Sequence, residues 1–194
     1  MGAFKPLLPF GDNTVIESCI DNFRAAGIEE IVVVLGHRAE DLHDHLKTKE
    51  VTLATNPDPD SAMSMSIALG VEALSASVRC VLITPVDHPA VPPETIRTLI
   101  AAWVSGGKLV QPEFEGKGGH PVLLDLEFRD ELLKLDSSAG LRGLFTQRRQ
   151  QVRRVPVNSP FVAQDMDTWD DYVSLHQTVF GRKPSEKQGF EYSE

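Results

Sequence analysis

Cys80-Val81-Leu82-Ile83-Thr84-Pro85-Val86-Asp87-His88-Pro89 decides how this chain folds. Its first four residues form a short apolar run with no helical period. Such a run reads as a strand buried on both faces. Pro85 and Pro89 stop the strand and restrict the backbone around Asp87. That places a carboxylate at the C-terminal end of a buried strand, where open α/β sheets bind their ligands. Desolvating an isolated carboxylate is costly, and a divalent cation carrying a polyphosphate would offset that cost. The competing reading is a turn aspartate that caps the next helix.

Outward from this segment the chain alternates. Before it, Thr14 to Ala26 carries Val15, Ile16, Cys19, Ile20 and Phe23 on one helical stripe, with Asp12-Asn13 as the expected cap and Gly27 as the stop. Glu30 to Leu35 predicts a buried strand, Ala39 to Leu46 a helix, Val51 to Ala54 a strand, and Ser64 to Leu74 a helix. After it come a helix from Pro93 to Val104 and a strand at Leu109-Val110. Strands alternating with helices predict βαβ units and a mostly parallel sheet between helical layers, a Rossmann-like αβα sandwich. From Glu113 the pattern loosens. Glu115 to Gly119 reads as a flexible loop, His120 to Leu124 as a strand, and Phe128 to Leu135 and Leu141 to Arg149 as short helices. Val152 to Val157, interrupted by Arg, reads as an edge strand, and Asp170 to Phe180 as the last helix. Residues 1–180 are expected to form one domain, and the polar stretch 181–194 a disordered tail.

With 194 residues, 41% apolar and 24% charged, the composition is that of a globular domain with a substantial core. No apolar run approaches the roughly 18 residues of a membrane span, and no signal-peptide pattern opens the chain. A cytoplasmic protein with no membrane or nucleic-acid partner is expected. The formal charge of −9 argues against a nucleic-acid partner, which favours a basic face. A nucleotide would have to be met by local cations, since the global field repels it. Cys19 and Cys80 read as small core residues of a reducing compartment. His43 and His45 lie two apart on a helix, which separates their faces and makes this a solvated surface. Gly116-Lys117-Gly118-Gly119 lacks the Lys-Ser/Thr and the helix of a P-loop.

Six segments in order carry a resemblance: Met1-Gly2 with Lys5-Pro6-Leu7-Leu8-Pro9, Asn56-Pro57 with Ala62-Met63-Ser64-Met65-Ser66, Thr84-Pro85-Val86-Asp87-His88-Pro89, Gly119-His120-Pro121, Asp136 to Arg142, and Asp165-Met166-Asp167-Thr168 with Tyr172. Together they resemble the MobA/MocA-like nucleotidyltransferases, which attach a nucleotide to molybdopterin. The resemblance implies an Mg²⁺-dependent transfer from an NTP, with CTP favoured and GTP possible, to a molybdopterin-type acceptor, and a molybdoenzyme as recipient. A sugar-phosphate nucleotidyltransferase and a non-catalytic carrier of the molybdenum cofactor are the alternatives. In the family a first strand and a Gly-rich loop precede the Met-Gly pair. The natural chain is therefore expected to begin roughly 15–20 residues earlier, about one strand and one loop.

The resemblance also implies roles. Lys5 would contact phosphate, and Asp87 would hold metal with Asp167, or with Asp165, which alternates to the same side. Asn56, Met63, Ser64 and Ser66 would form the nucleobase pocket, and His120 would line the acceptor side. Ala62 replaces the family's Gly. If that position needed a positive φ, the loop would shift. For the other residue types the simpler readings stay open: a helix cap at Asp167 or Thr168, a cap at Ser61 or Ser64, a structural role for His120, and an ion pair between Arg142 and Asp136.

Overall fold

The computed structural model describes residues 4–184. A short 3-10 turn, Lys5–Leu7, leads into the two-residue strands β1 (Pro9–Phe10) and β2 (Asn13–Thr14), which pair antiparallel. Helix α1 (Val15–Ala25) follows. Its cap is Thr14, one residue beyond the expected Asp12-Asn13. The Thr14 side chain accepts from the Glu17 amide, and Glu17 reaches back to the Thr14 amide, a reciprocal capping box. Asn13 instead donates from its side chain to Asp21. Then come β3 (Val32–Leu35), α2 (Ala39–Leu46), β4 (Thr52–Thr55), α3 (Met63–Glu72), β5 (Cys80–Ile83) and α4 (Pro93–Val104). The second half adds β6 (Leu109–Phe114), β7 (Lys117–Gly118), β8 (Val122–Asp125), α5 (Arg129–Leu133), α6 (Gly140–Gln147), β9 (Val152–Pro156) and α7 (Trp169–Phe180).

Alternation along the strands sorts the core into two layers, as the pleat requires. On one face, Leu82, Val110 and Leu123 pack against Leu99 and Ala102 of α4. On the other, Val81, Ile83, Leu109 and Leu124 pack against Ile67 and Val71 of α3, Leu132 of α5 and Leu144 of α6. Helices therefore cover both faces of the sheet, and the α/β Rossmann-like architecture holds. β6 and β9 run parallel, as do β3 and β4. Within the larger sheet the departures from the parallel pattern are β7, which pairs antiparallel with β6, and β8, which lies antiparallel between β5 and β6. The direction of β8 follows from the Glu115-Gly116 turn, where Glu115 takes φ 49° and Gly116 φ 79°. That turn folds Lys117-Gly118 back onto Glu113-Phe114. The expected flexible loop is thus the tip of a paired hairpin.

Among the described residues, the β3–β4 pair is not hydrogen-bonded to the sheet containing β5. Among these residues β3 and β5 each present one edge with no paired strand. Val32, Val33 and Val34 and all four residues of β5 are half-buried, not buried as the apolar runs predict. No helix among the described residues is long and apolar enough to cross a membrane. Gly181 closes α7 in the left-handed region at φ 70°. The rest of the expected tail, 185–194, lies outside the described residues.

Candidate functional site

Three segments meet through one apolar cluster. Leu8, Met166 and Tyr172 are almost fully buried together, and Val86 packs against them. Each segment carries its charged residue close to an anchor: Lys5 lies three residues before Leu8, Asp87 follows Val86, and Asp165 and Asp167 flank Met166. The Tyr172 hydroxyl donates to the Pro9 carbonyl, tying α7 to the start of the chain. Helix α1 holds the Asp87 loop at two points. Cys19 Sγ lies 3.6 Å from the Val86 carbonyl, and Asn22 Nδ2 donates to the Pro89 carbonyl at 2.8 Å.

Lys5 Nζ donates to Asp167 Oδ1 at 2.9 Å. The sequence places these residues 162 positions apart, and only the tertiary fold joins them. Asp167 is not the cap of α7. Thr168 is, through a capping box with Asp171, so the Asp167 carboxylate is left for Lys5. Asp165 is exposed.

Asp87 sits four residues past β5. Its Oδ1 is buried and has no hydrogen-bond partner among the described residues. The His88 Nε2 is 3.6 Å from it, too long for a hydrogen bond. A buried carboxylate oxygen without a donor is costly, and it is an observation that fits a cation at this position. Two carboxylates suit Mg²⁺, which takes its remaining ligands from substrate and water. Among the described residues no group of three or more His, Cys, Asp or Glu forms a cage of its own.

His88 is a residue that the sequence pattern did not single out. It is buried, its Nδ1 lies 3.4 Å from the Phe161 carbonyl, and its ring centroid is 5.2 Å from that of His120. Its position directly after Asp87 was the available signal. His120 is held by its amide, which donates to the Val162 carbonyl at 2.8 Å. Burial pushes the His120 imidazole below its usual range, and the neighbouring His88 adds to this. The Ile83 carbonyl and Asp87 pull the other way. Its Nδ1 is also buried without a partner among the described residues. His120 thus faces the Asp87 side of the sheet, beside β5. Cys19 is a core thiol, pushed up to about 12 by burial first and then by the Asp87 carboxylate.

The expected nucleobase residues form a connected turn. Asn56 is buried, and its Nδ2 donates to Ser61 Oγ at 3.0 Å and to Ser66 Oγ at 3.1 Å. Its Oδ1 accepts from the Asp58 amide. These bonds commit the Asn56 amide to shaping the loop. Ala62 is extended at φ −61°, so the Gly-to-Ala replacement needs no positive φ and causes no strain. Neither Ser61 nor Ser64 caps α3, whose cap position is Ala62 without a side-chain bond. Met63 and Met65 are exposed at this helix end. The Arg142–Asp136 ion pair does not form. Asp136 accepts instead from the Ser138 hydroxyl and the Ser138 and Ala139 amides, because those donors lie in its own turn. His45 approaches Thr14 Oγ1 and Glu17, whereas His43 is exposed. A cavity of about 300 Å³, lined by Arg79, Trp103, Lys108 and Asp125 among others, opens where β5 and β6 begin, at the opposite strand ends from Asp87.

Residues 1–153 match the family model of the MobA-like NTP transferase domain. The structure is similar to Rv0371c of Mycobacterium tuberculosis H37Rv in its complex with manganese. The two are 26% identical, with a TM-score of 0.79 over 90% of this chain and 92% of that one. In sequence the chain is 24% identical over 179 residues to the nicotine blue oxidoreductase of Paenarthrobacter nicotinovorans, covering 88% of this chain and 87% of that protein. It is 33% identical over 102 residues to the bifunctional IPC transferase and DIPP synthase of Rubrobacter xylanophilus. That match covers 51% of this chain and only 22% of the larger protein.

Proposed function

This chain belongs to the MobA-like NTP transferase family, and we propose that it transfers a nucleotidyl group to a phosphorylated acceptor of the molybdopterin type. CTP is the favoured donor and GTP the alternative. We place the reaction in the cytoplasm and assign residues 1–180 to the catalytic domain. The observation that carries this reading is the apolar cluster of Leu8, Val86 and Met166, which joins the segment of Asp87 to those of the paired Lys5 and Asp167, with the Asp87 Oδ1 buried and lacking a donor among the described residues.

In the reaction an oxygen of the acceptor phosphate attacks the α-phosphorus of the NTP. A new P–O–P linkage forms, the bond to the β-phosphate bridging oxygen breaks, and pyrophosphate leaves. The transition state spreads negative charge, so catalysis consists of positioning and neutralising it. Asp87 and Asp167 are the residues that would hold Mg²⁺, with Asp165 as the substitute for Asp167. When bound, the ion supplies charge neutralisation on the phosphate oxygens. The manganese complex of the similar Rv0371c supports a divalent cation here. Lys5 offers an ammonium to the same oxygens. Met63, Ser64 and Ser66 face the nucleobase, and Asn56 shapes their turn. His120 borders the acceptor.

The test is pyrophosphate release with Mg²⁺, molybdopterin and either CTP or GTP. The wild type is expected to release it, and Asp87→Asn to be slowed about 10²–10³-fold with an unchanged circular dichroism spectrum. No pyrophosphate from the wild type with either nucleotide would overturn the reading. The whole-length similarity to a protein named as an oxidoreductase supplies a second reading, a redox reaction that forms no pyrophosphate.

A further inference from the structure

The Lys5–Asp167 pair puts an ammonium on the carboxylate that a bound cation would use, so the two compete for it. The ammonium lies 2.9 Å from Asp167 Oδ1, and the two side chains are 26% and 67% exposed. Mg²⁺ coordinates a carboxylate oxygen at about 2.0–2.1 Å. An ammonium and a metal ion on one carboxylate are close neighbours of like sign, and each weakens the hold of the other. The backbones on both sides are anchored. The Leu8 amide is bonded to the Lys5 carbonyl at 3.1 Å, and Pro6 restricts the turn between them. Leu8 is 1% exposed, and Met166, directly before Asp167, is fully buried. The mobile part is the four-carbon lysine stem, which is flexible and ends at solvent. Asp171 also lies within the field of Lys5, but its carboxylate is taken by Thr168 in the α7 cap. Asp167 is therefore the available anion for Lys5 at rest.

We propose that Lys5 is the resting counter-ion of Asp167, and that a divalent cation displaces it and frees the ammonium for the triphosphate of the nucleotide. The proposal rests on the transferase reading above. It assigns Lys5 two positions. Without ligand, it neutralises a carboxylate that would otherwise add to the repulsive field of a chain with net charge −9. With the cation in place, it becomes a phosphate ligand. Cation and nucleotide binding are then coupled through one side chain, so each favours the other.

The experiment is a titration of the full chain with Mn²⁺ alone, followed by electron paramagnetic resonance, in the absence of nucleotide. Four proteins are compared: wild type, Lys5→Met, Asp167→Asn and the double variant. Lys5→Met is expected to bind Mn²⁺ about two- to fivefold more tightly, the scale of an exposed ion pair. Asp167→Asn is expected to bind more weakly, and Lys5→Met to have no further effect in that background. Unchanged or weaker binding in Lys5→Met overturns the proposal. So does an equal tightening in both backgrounds, which would mark a long-range charge effect. Asp87→Asn separates this from the reading beneath it. Mn²⁺ binding that ignores Asp87 removes the metal role of Asp87, while the Lys5–Asp167 cycle is judged by its own coupling. Wild type that binds no Mn²⁺ removes both.

Discussion

Glu17 shows how much one side chain carries here. It closes the capping box of α1, and its carboxylate also meets Lys49 at 3.0 Å and His45 at 3.5 Å. Burial works against its charge, but the bonds from the Thr14 amide, Lys49 and the Thr14 hydroxyl outweigh it and hold the carboxyl down at about 2, from 4.5. A depressed folded-state value means stability that is present above about pH 4.5 and lost as pH falls towards 2. The melting-temperature gap between wild type and Glu17→Gln should therefore be open near pH 6 and close as pH falls towards 2. A gap independent of pH would show that Glu17 acts only as a neutral bonding partner. Thr14→Ala removes the other half of the box and is expected to cost about 1 kcal/mol in chemical denaturation.

At the scale of elements, the join between the β7–β8 connection and the 3-10 turn Pro160–Ala163 is the tightest point near the candidate site. A Cβ built on Gly119 would lie 1.9 Å from the Val162 carbonyl oxygen. Backbone occupies that space, so no rotamer change relieves the overlap. The same carbonyl accepts the His120 amide, and the adjoining Phe161 carbonyl meets His88. Gly119→Ala is expected to destabilise the protein by about 1–3 kcal/mol, as overpacking does, and to separate His120 from His88. Thermal unfolding reads the first effect. An unchanged melting temperature would mean that the two segments move apart freely.

For the whole molecule, the interrupted sheet is the dominant feature. Among the described residues, β6 and β8 are paired with neighbours and covered by helices on both faces, whereas β3 and β5 each keep an open edge. Backbone groups at an open edge lack the ladder that slows local opening. In hydrogen exchange, the alternate β5 amides that face away from β8 should exchange at least about tenfold faster than those between β6 and β8. Equal protection would show that the two sheets are joined in solution. The candidate site lies at the end of β5, beside this interruption, and its residues are held by α1 and the Leu8–Met166–Tyr172 cluster more than by the sheet.

Much of this organisation was legible in the linear chain. The helix at Ala39–Leu46 and that at Pro93–Val104 match their expected bounds, because apolar spacing and, in the second, the initial Pro93 act locally. The strand Cys80–Ile83 was equally plain, and with it the position of Asp87 at a strand end. The family followed from six short motifs in order. What the chain alone left open was set by turn geometry, by competition among neighbouring donors and acceptors, and by one contact between distant segments. The direction of β8 depends on a turn with two residues at positive φ. The choice of Thr168 over Asp167 as a cap depends on Asp171, and the freed carboxylate then meets an ammonium 162 residues away. Arg142 lost Asp136 to nearer backbone donors. Local propensity and periodicity are written along the sequence, whereas the partner of a charged side chain is decided by whichever groups the packed core brings within reach.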